Sequence, residues 1–433
     1  MSQYIFILGR EPALSVAEIA AVARRENVAV TWQHITGRFA LVEAELPADF
    51  MSQLAGTVKL AQVLGRLEPA PSAISELVQS TLTELNNEQC HFGFSWYGEG
   101  RPQWLDRVGI QIKKEWRARG QRARYVVSRE PQLSSVVVTK NKLLPPEGVE
   151  FNLVPMKGEL IVARTLAVQE FADWSSRDYG RPERDAKVGM LPPKLARLMV
   201  NLAQLPLGDK FFDTGNTPGP RGQEQSSARL GGTRLKQLSR SGGLLDPFCG
   251  SGTVLQEAAL LGYKELWGSD NDAAGIERTT KNFAWLKERY PNITAEPTLK
   301  VCSIFDLPKR LSDRRFGAIV TEPYLGPPLT GREGRNRLAG IQTELTEFYQ
   351  ATIKTLSSLL APGGQVVMVW PVLVAGQATL PLPLIETAHQ AGFSLPDQLP
   401  ALVPPHFRTE RNILYYHRAG QYVGRELVVL RKE

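Results

Sequence analysis

The sequence has little cysteine and little histidine. Its three cysteines, Cys90, Cys249 and Cys302, lie far apart in 433 residues and show no CxxC spacing. They cannot all pair, which excludes a disulfide framework and a zinc knuckle and implies a reducing compartment. Histidines number only five, and no clustered metal site is present. Long apolar runs are missing too. "YIFIL" near the start is too short for the apolar region of a signal peptide, and nothing approaches the ~20 residues of a membrane span. A cytoplasmic protein with no membrane partner is expected. The length, by contrast, exceeds a single core and predicts two to three domains at about 100–200 residues each.

What the sequence does have is basic charge in one place. The formal net charge is +7, yet residues 101–142 alone hold eleven Lys/Arg against three Asp/Glu, a local balance of 11 − 3 = +8. The densest part, "KKEWRARGQRAR" (113–124), offers Lys113, Lys114, Arg117, Arg119, Arg122 and Arg124 as nucleic-acid contacts. Such a patch attracts a polyanion by releasing condensed counterions. A solvated helix face is the competing reading.

Residues 1–50 read strand, helix, strand, strand: "YIFILG" (4–9), a helix over 15–27 capped by Ser15 with Glu18 at its third position, then "VAVTWQ" and "RFALVEAEL". Residues 57–67 and 73–86 read as amphipathic helices divided by "EPAPS". A basic helix over 104–119, the β-branched run "SSVVVTKN" and a hairpin over 149–168 follow. The prolines of "GMLPPKLARLMVNLAQL" suit the first turn of a helix within 189–205. Residues 206–240 are Gly-, Ser- and Arg-rich without periodicity and read as a mobile basic loop or plain linker. From 243 the chain alternates strand and helix, which predicts a mostly parallel sheet. Seven strands are expected at 243–246, 265–269, 298–303, 316–321, 364–370, 413–417 and 426–431, with helices at about 253–261, 273–290, 341–360 and 382–391. No helix separates the last two strands, so one of them is expected to run antiparallel.

The richest stretch is "LLDPFCGSGTVLQEAALLGYKELWGSDNDAAG" (244–275). An apolar strand delivers Asp246, and the turn Cys249-Gly250-Ser251-Gly252 opens a helix near Thr253. Glycines there let backbone N–H groups approach a ligand at the start of a helix. The third glycine of a dinucleotide motif is absent, and no Lys follows as in a phosphate-binding loop. A second strand ends at Asp270-Asn271, where an acidic residue suits two ribose hydroxyls. S-adenosylmethionine (SAM) fits this pattern. Asp246 would face its ammonium, Phe248, Gly250, Gly252 and Thr253 would form the turn beneath it, and Asp270 and Asn271 would take the ribose. Ser303, Ile304 and Asp306 would flank the adenine. The fourth strand then ends in Thr321-Glu322-Pro323-Tyr324, beside the sheet's expected switch point. Two acceptors there can grip the protons of an exocyclic base amine and localise its lone pair toward a methyl group, while Tyr324 stacks on the base.

These residues carry a resemblance. "LLDPFCGSGT" resembles the cofactor motif of amino-directed methyltransferases, and "TEPY" resembles their (Asp/Asn)-Pro-Pro-(Tyr/Phe) motif. Thr321 stands at the Asp/Asn position and Glu322 at the first proline, so the acceptor is either the Glu322 carboxylate or its backbone carbonyl assisted by Thr321. Together with "RDYGRPERDAKVGMLPPKLARLMVNLA" (177–203), the chain is similar to the tRNA guanosine N2-methyltransferases that modify position ten. The resemblance implies an N-terminal ferredoxin-like piece (1–55), a THUMP domain that binds tRNA (56–170), a linker and helix (171–205), the loop 206–240 and a Rossmann-like methyltransferase domain (241–433). A small activating protein partner and the oligomeric state are left open. A DNA methyltransferase acting on adenine N6 or cytosine N4, which must flip its base, and an inactive RNA-binding homologue are the competing readings.

Overall fold

Two compact units divide the chain: residues 1–16, 27–173 and 400–404, and residues 17–26, 174–399 and 405–433. The computed structural model describes residues 1–85, 89–184, 190–205, 242–376 and 378–433. The expected loop 206–240 lies outside the described residues.

In the first unit, strands rich in Val, Ile and Phe build one sheet. They are β1 (Ser2–Leu8), β2 (Val30–Ile35), β3 (Phe39–Ala44), β4 (Thr57–Leu67), β5 (Gln89–Trp96), β6 (Arg122–Val126), β7 (Gly148–Met156) and β8 (Glu159–Val168), in the order β2-β3-β1-β4-β8-β7-β5-β6. β5 pairs in parallel with β6 and β7, and the other pairs are antiparallel. Residues 57–67 are therefore not a helix but an eleven-residue strand. The pairing of β4 with β8 shifts register twice, between Leu60 and Ala61 and between Val63 and Gly65. The first shift has its extra residue, Leu166, in β8, but the second has Leu64 in β4, and the pairing with β1 has Val58 in β4 as well. Each extra residue in β4 moves its inward-facing phase by one, so the apolar spacing departs from strict alternation and imitates helical periodicity. Lys59 of the same strand is buried on Glu150, whose carboxylate also accepts from Ser95 and Thr165.

Helix α1 (Pro12–Arg25) begins three residues before the expected cap. Proline suits the first helical position, and Ser15 instead donates its hydroxyl to the carbonyls of Glu11 and Gly56. Helices α2 (Pro71–Glu84) and α3 (Gln103–Ala118) pack Ile74, Val78, Ile112 and Trp116 onto Phe92, Phe94 and Phe151 of the sheet. The β-branched run at 134–141 forms the short helix α4 (Ser135–Lys140), whose N-cap Ser134 accepts from Val137 N.

Helix α5 (Phe171–Tyr179) passes from the first unit's residues into the second's at Trp174, and in the second unit α6 (Pro193–Leu202) precedes a mixed α/β sheet. Its strands are β9 (Leu244–Asp246), β10 (Leu266–Asp270), β11 (Thr298–Val301), β12 (Phe316–Thr321), β13 (Leu360–Ala375), β14 (Ala378–Pro381), β15 (Phe393–Ser394), β16 (Leu414–Tyr416) and β17 (Val423–Lys432). The path runs β11-β10-β9-β12-β13-β17-β15, with β14 beside β13 and β16 beside β17. The first five strands on that path are parallel, whereas β17 is antiparallel to β13, β15 and β16. Helices α7 (Thr253–Leu260), α8 (Ala273–Arg289), α9 (Leu307–Arg310), α10 (Arg335–Leu359) and α11 (Ile385–Gln390) connect them. β9 and β10 lie on one side of the switch point and β12 on the other, so Asp246 and Thr321 come out at adjacent carboxyl ends.

Candidate active site

The turn after β9 is built around two glycines that other residues cannot replace equally. Gly250 has φ +51° and open space where a Cβ would stand. Gly252 has φ +80°, and its Cβ would fall 2.8 Å from Thr279 Cγ2. A side chain at either position strains the backbone, but only at 252 does it also meet packed atoms. The turn is clamped from α8: Thr279 Oγ1 donates to Gly250 O at 2.9 Å, and Asn282 Nδ2 donates to Ser251 O at 3.0 Å. Thr253, at the start of α7, accepts from Arg181 at 2.7 Å. Gly268 in β10 allows the close packing of Leu255 and Leu299 that keeps helix and strand together.

Asp246 is buried at the end of β9. Its Oδ1 accepts from Phe248 N at 3.2 Å and from Thr321 Oγ1 at 2.7 Å. Burial, opposed by these bonds and reinforced by Asp270 and Glu322, pushes its carboxyl up to about 7. Asp270, at the end of β10, accepts from Gly250 N and Asp272 N, both at 2.9 Å, one bond to each oxygen. A carboxylate has about four acceptor positions, so two remain for a ligand. Asn271 and Asp306 are exposed, Ser303 is half-buried and caps the short turn 304–306, and Ile304 is buried. Burial and the nearby Asp246 raise the Cys249 thiol far above its usual range, so this cysteine is an inert part of the turn.

Thr321 is fully buried, with its hydroxyl spent on Asp246. Glu322 is nearly buried and accepts from Arg425 Nε at 2.7 Å; Arg425 stands on β17. Pro323 is buried, and Tyr324 is 58% exposed with its carbonyl fixed by Tyr349 Oη at 3.1 Å. Phe248, Phe305 and Phe348 form a cluster beside this edge, with ring centroids 5.9 and 6.2 Å apart. The chain thus offers a deep carboxylate, a second one with spare acceptors, an open glycine turn and aromatic faces. That set fits a cationic adenosine ligand.

The reading from sequence included neither Arg181, Thr279, Asn282, Phe348 nor Arg425 among the site residues. Arg181 and Thr279 stand 72 and 29 residues from their partners, and Arg425 stands 103 residues from Glu322. Only the sheet's topology joins them. In the first unit, Lys114, Arg117, Arg119, Arg122 and Arg124 are exposed and Lys113 is half-buried, whereas Trp116 is a core residue. Among the described residues, none of the six basic side chains has an ion pair. Likewise, among the described residues no group of three or more His, Cys, Asp or Glu is placed to hold a metal ion, and no helix is long and apolar enough to cross a membrane.

Residues 233–375 match the family described as UPF0020, an RMKL-like methyltransferase domain. The match takes in the glycine turn, both acidic strand ends and the Thr-Glu-Pro-Tyr segment, so this part of the chain is a methyltransferase domain. Among characterised proteins, the chain is similar to the tRNA (guanine(10)-N2)-dimethyltransferase of Methanothermobacter thermautotrophicus, with 28% identity over 183 residues. That alignment covers 42% of this chain and 39% of the relative, so the chain spans about two fifths of that protein's length. Among solved structures it is similar to TrmN from Thermus thermophilus, at 15% identity and TM-score 0.49 over 100% of both chains. It is also similar to SMU.472 complexed with SAH, at 10% identity and TM-score 0.47 over 100% of this chain and 99% of that one.

Proposed function

We propose that the protein is a SAM-dependent methyltransferase that modifies the N2 amine of a guanosine in tRNA, at position ten. The observation that carries this reading is the 2.7 Å hydrogen bond from Thr321 to Asp246. It ties the end of the strand that serves the methyl donor to the end of the strand that receives the amine. When bound, SAM supplies a sulfonium methyl group to the amine nitrogen. Asp246 pairs with the donor's ammonium, the spare acceptor positions of Asp270 hold the ribose, and Ser303, Ile304 and Asp306 border the adenine together with Phe305. Thr321 acts through Asp246, because its hydroxyl proton is already committed there.

Glu322 then remains as the acceptor for the base. Arg425 occupies one of its oxygens, which leaves the other oxygen and the backbone carbonyl to accept the amine protons. Holding those protons localises the nitrogen lone pair and offsets the charge that develops on transfer. The exposed ring of Tyr324 provides the stacking face. The first unit is read as the tRNA-binding part, a ferredoxin-like piece over 1–55 and a THUMP-like domain over 56–170, with the unpaired cations of 113–124 as phosphate contacts. A small activating protein partner is compatible with this arrangement, as is a cytoplasmic location, given three free buried thiols.

Mass spectrometry of nucleosides from tRNA incubated with the protein and isotopically labelled SAM tests the reading. Label in N2-methyl- or N2,N2-dimethylguanosine is the expected result. Label only in DNA adenine or cytosine overturns the substrate assignment, and SAM binding with no transfer at all leaves an RNA-binding homologue.

A further inference from the structure

The loop that follows Tyr324 carries a charge pattern that amine activation does not use. Residues 325–337, a loop together with the first turn of α10, contain Arg332, Arg335 and Arg337 and one acid, Glu333. All three arginines are exposed, and among the described residues none of them makes an ion pair or hydrogen bond. Glu333 pairs with none of them. Its Oε1 accepts from Thr330 N at 2.7 Å and from Thr330 Oγ1 at 2.8 Å, and its Oε2 accepts from Gly331 N at 2.9 Å. The acid shapes its own loop while keeping its charge, so residues 325–337 carry 3 − 1 = +2 and the three guanidiniums face solvent.

The loop is also anchored. Gly331, at φ +77°, lies so close to Tyr422 that a Cβ would fall 2.1 Å from the ring, and Leu329 packs against the core. Tyr422 and Tyr324 remain 39% and 58% exposed. Unpaired guanidiniums on a held loop and the helix turn it enters, close in the chain to exposed aromatic rings and directly after the acceptor motif, form a surface suited to alternating phosphates and bases.

We propose that this loop is a second nucleic-acid surface, one that takes the phosphates of the single-stranded RNA segment flanking the target nucleoside. The proposal rests on the methyltransferase reading of Thr321–Tyr324. A base inserted beside Tyr324 brings its own 5′ and 3′ phosphates with it, and the next residues of the chain are the ones that supply unpaired cations. An acidic protein would also be attracted by the charge, but it has no use for exposed tyrosine faces at the edge of a base-modifying site.

The test is fluorescence anisotropy of labelled bulk tRNA with the full-length protein across a salt series, comparing wild type with the triple variant Arg332→Gln/Arg335→Gln/Arg337→Gln and the matching triple Lys variant. The Gln variant should bind tRNA at least ~tenfold more weakly at 0.1 M salt, with the slope of log K against log salt shallower by roughly 2. The Lys variant should retain most of both, and SAM affinity by calorimetry should be unchanged in either. If the Gln variant also loses SAM affinity, Arg335→Gln and Arg337→Gln are measured singly, each expected to remove about 0.7 from the slope. Wild-type affinity and slope in the Gln variants would overturn the proposal, including the case in which the loop docks an acidic protein. If the slope depends on these arginines but guanosine N2 is never methylated, the surface stands and the substrate reading fails.

Discussion

A carboxylate sealed inside a sheet is costly unless a cation arrives to pair with it, and Asp246 is in that position. Its folded-state value of about 7 lies above the unfolded 3.8, so the folded protein binds the extra proton across that window. Wild-type stability therefore falls as pH rises from about 4 to about 7 and levels off above it. Asp246→Asn removes this dependence. Relative to wild type it should gain on the order of 2–3 kcal/mol between pH 5 and pH 8 in denaturant titrations, while losing SAM affinity. In the wild type the sign reverses for the ligand: a cationic ammonium needs the anion, so SAM should bind roughly tenfold more tightly at pH 8 than at pH 6. Flat calorimetric affinity over that range would detach Asp246 from the ligand. The neighbouring pair makes a separate prediction. Glu322 and Arg425 keep only 11% and 10% of their side chains exposed, so Arg425→Gln leaves a nearly buried charge uncompensated and should cost about 2 kcal/mol. The double variant Glu322→Gln/Arg425→Gln should recover stability in thermal melts but not kcat, which separates positioning of the acceptor from support of the fold.

At the scale of elements, the glycine turn and its clamp behave as one unit. Gly252→Ala should destabilise by about 1–3 kcal/mol, from positive φ and from contact with Thr279. Adding Thr279→Ser removes the offending methyl but keeps the hydroxyl that bonds Gly250, so it should restore part of the loss in chemical denaturation. Gly250→Ala meets no atoms and should cost only about 1 kcal/mol, yet it fills the open side of the turn and should weaken SAM binding more than stability. How legible these elements were in the sequence follows from their physics. Among the described residues the second unit has nine strands rather than the seven expected. β14 and β15, of four and two residues, carry too short a pattern to show, and β13 runs five residues past its expected end, whereas the other six end within two residues of where apolar runs and turn residues set them. β4 was misread because its register shifts disguise a strand as a helix, and α1 because the Pro at its start outweighs a Ser one turn later. Asp246, Asp270 and Thr321 were readable since each lies at the end of its own strand. Arg425 and Asn282 were not, since no local pattern records which distant side chain a topology will bring alongside.

For the whole molecule, the basic helix of the first unit, proposed above as a set of phosphate contacts, makes a prediction of its own. α3 buries Leu105, Val108, Ile112 and Trp116 and turns Lys114 and Arg117 outward. Substitutions on its cationic side therefore fall where surface changes usually stay within about 0.5 kcal/mol. Phosphate contacts fix register without taking part in bond making, so their loss should be confined to ground-state binding. Lys113→Gln/Lys114→Gln/Arg117→Gln is expected to raise KM for tRNA severalfold, with kcat at saturating tRNA and SAM affinity both unchanged. Uniform binding energy of this kind lowers KM without altering kcat. A fall in kcat at saturation would mean instead that these cations act beyond ground-state binding, and an unchanged KM would return the three of them to a solvated helix face.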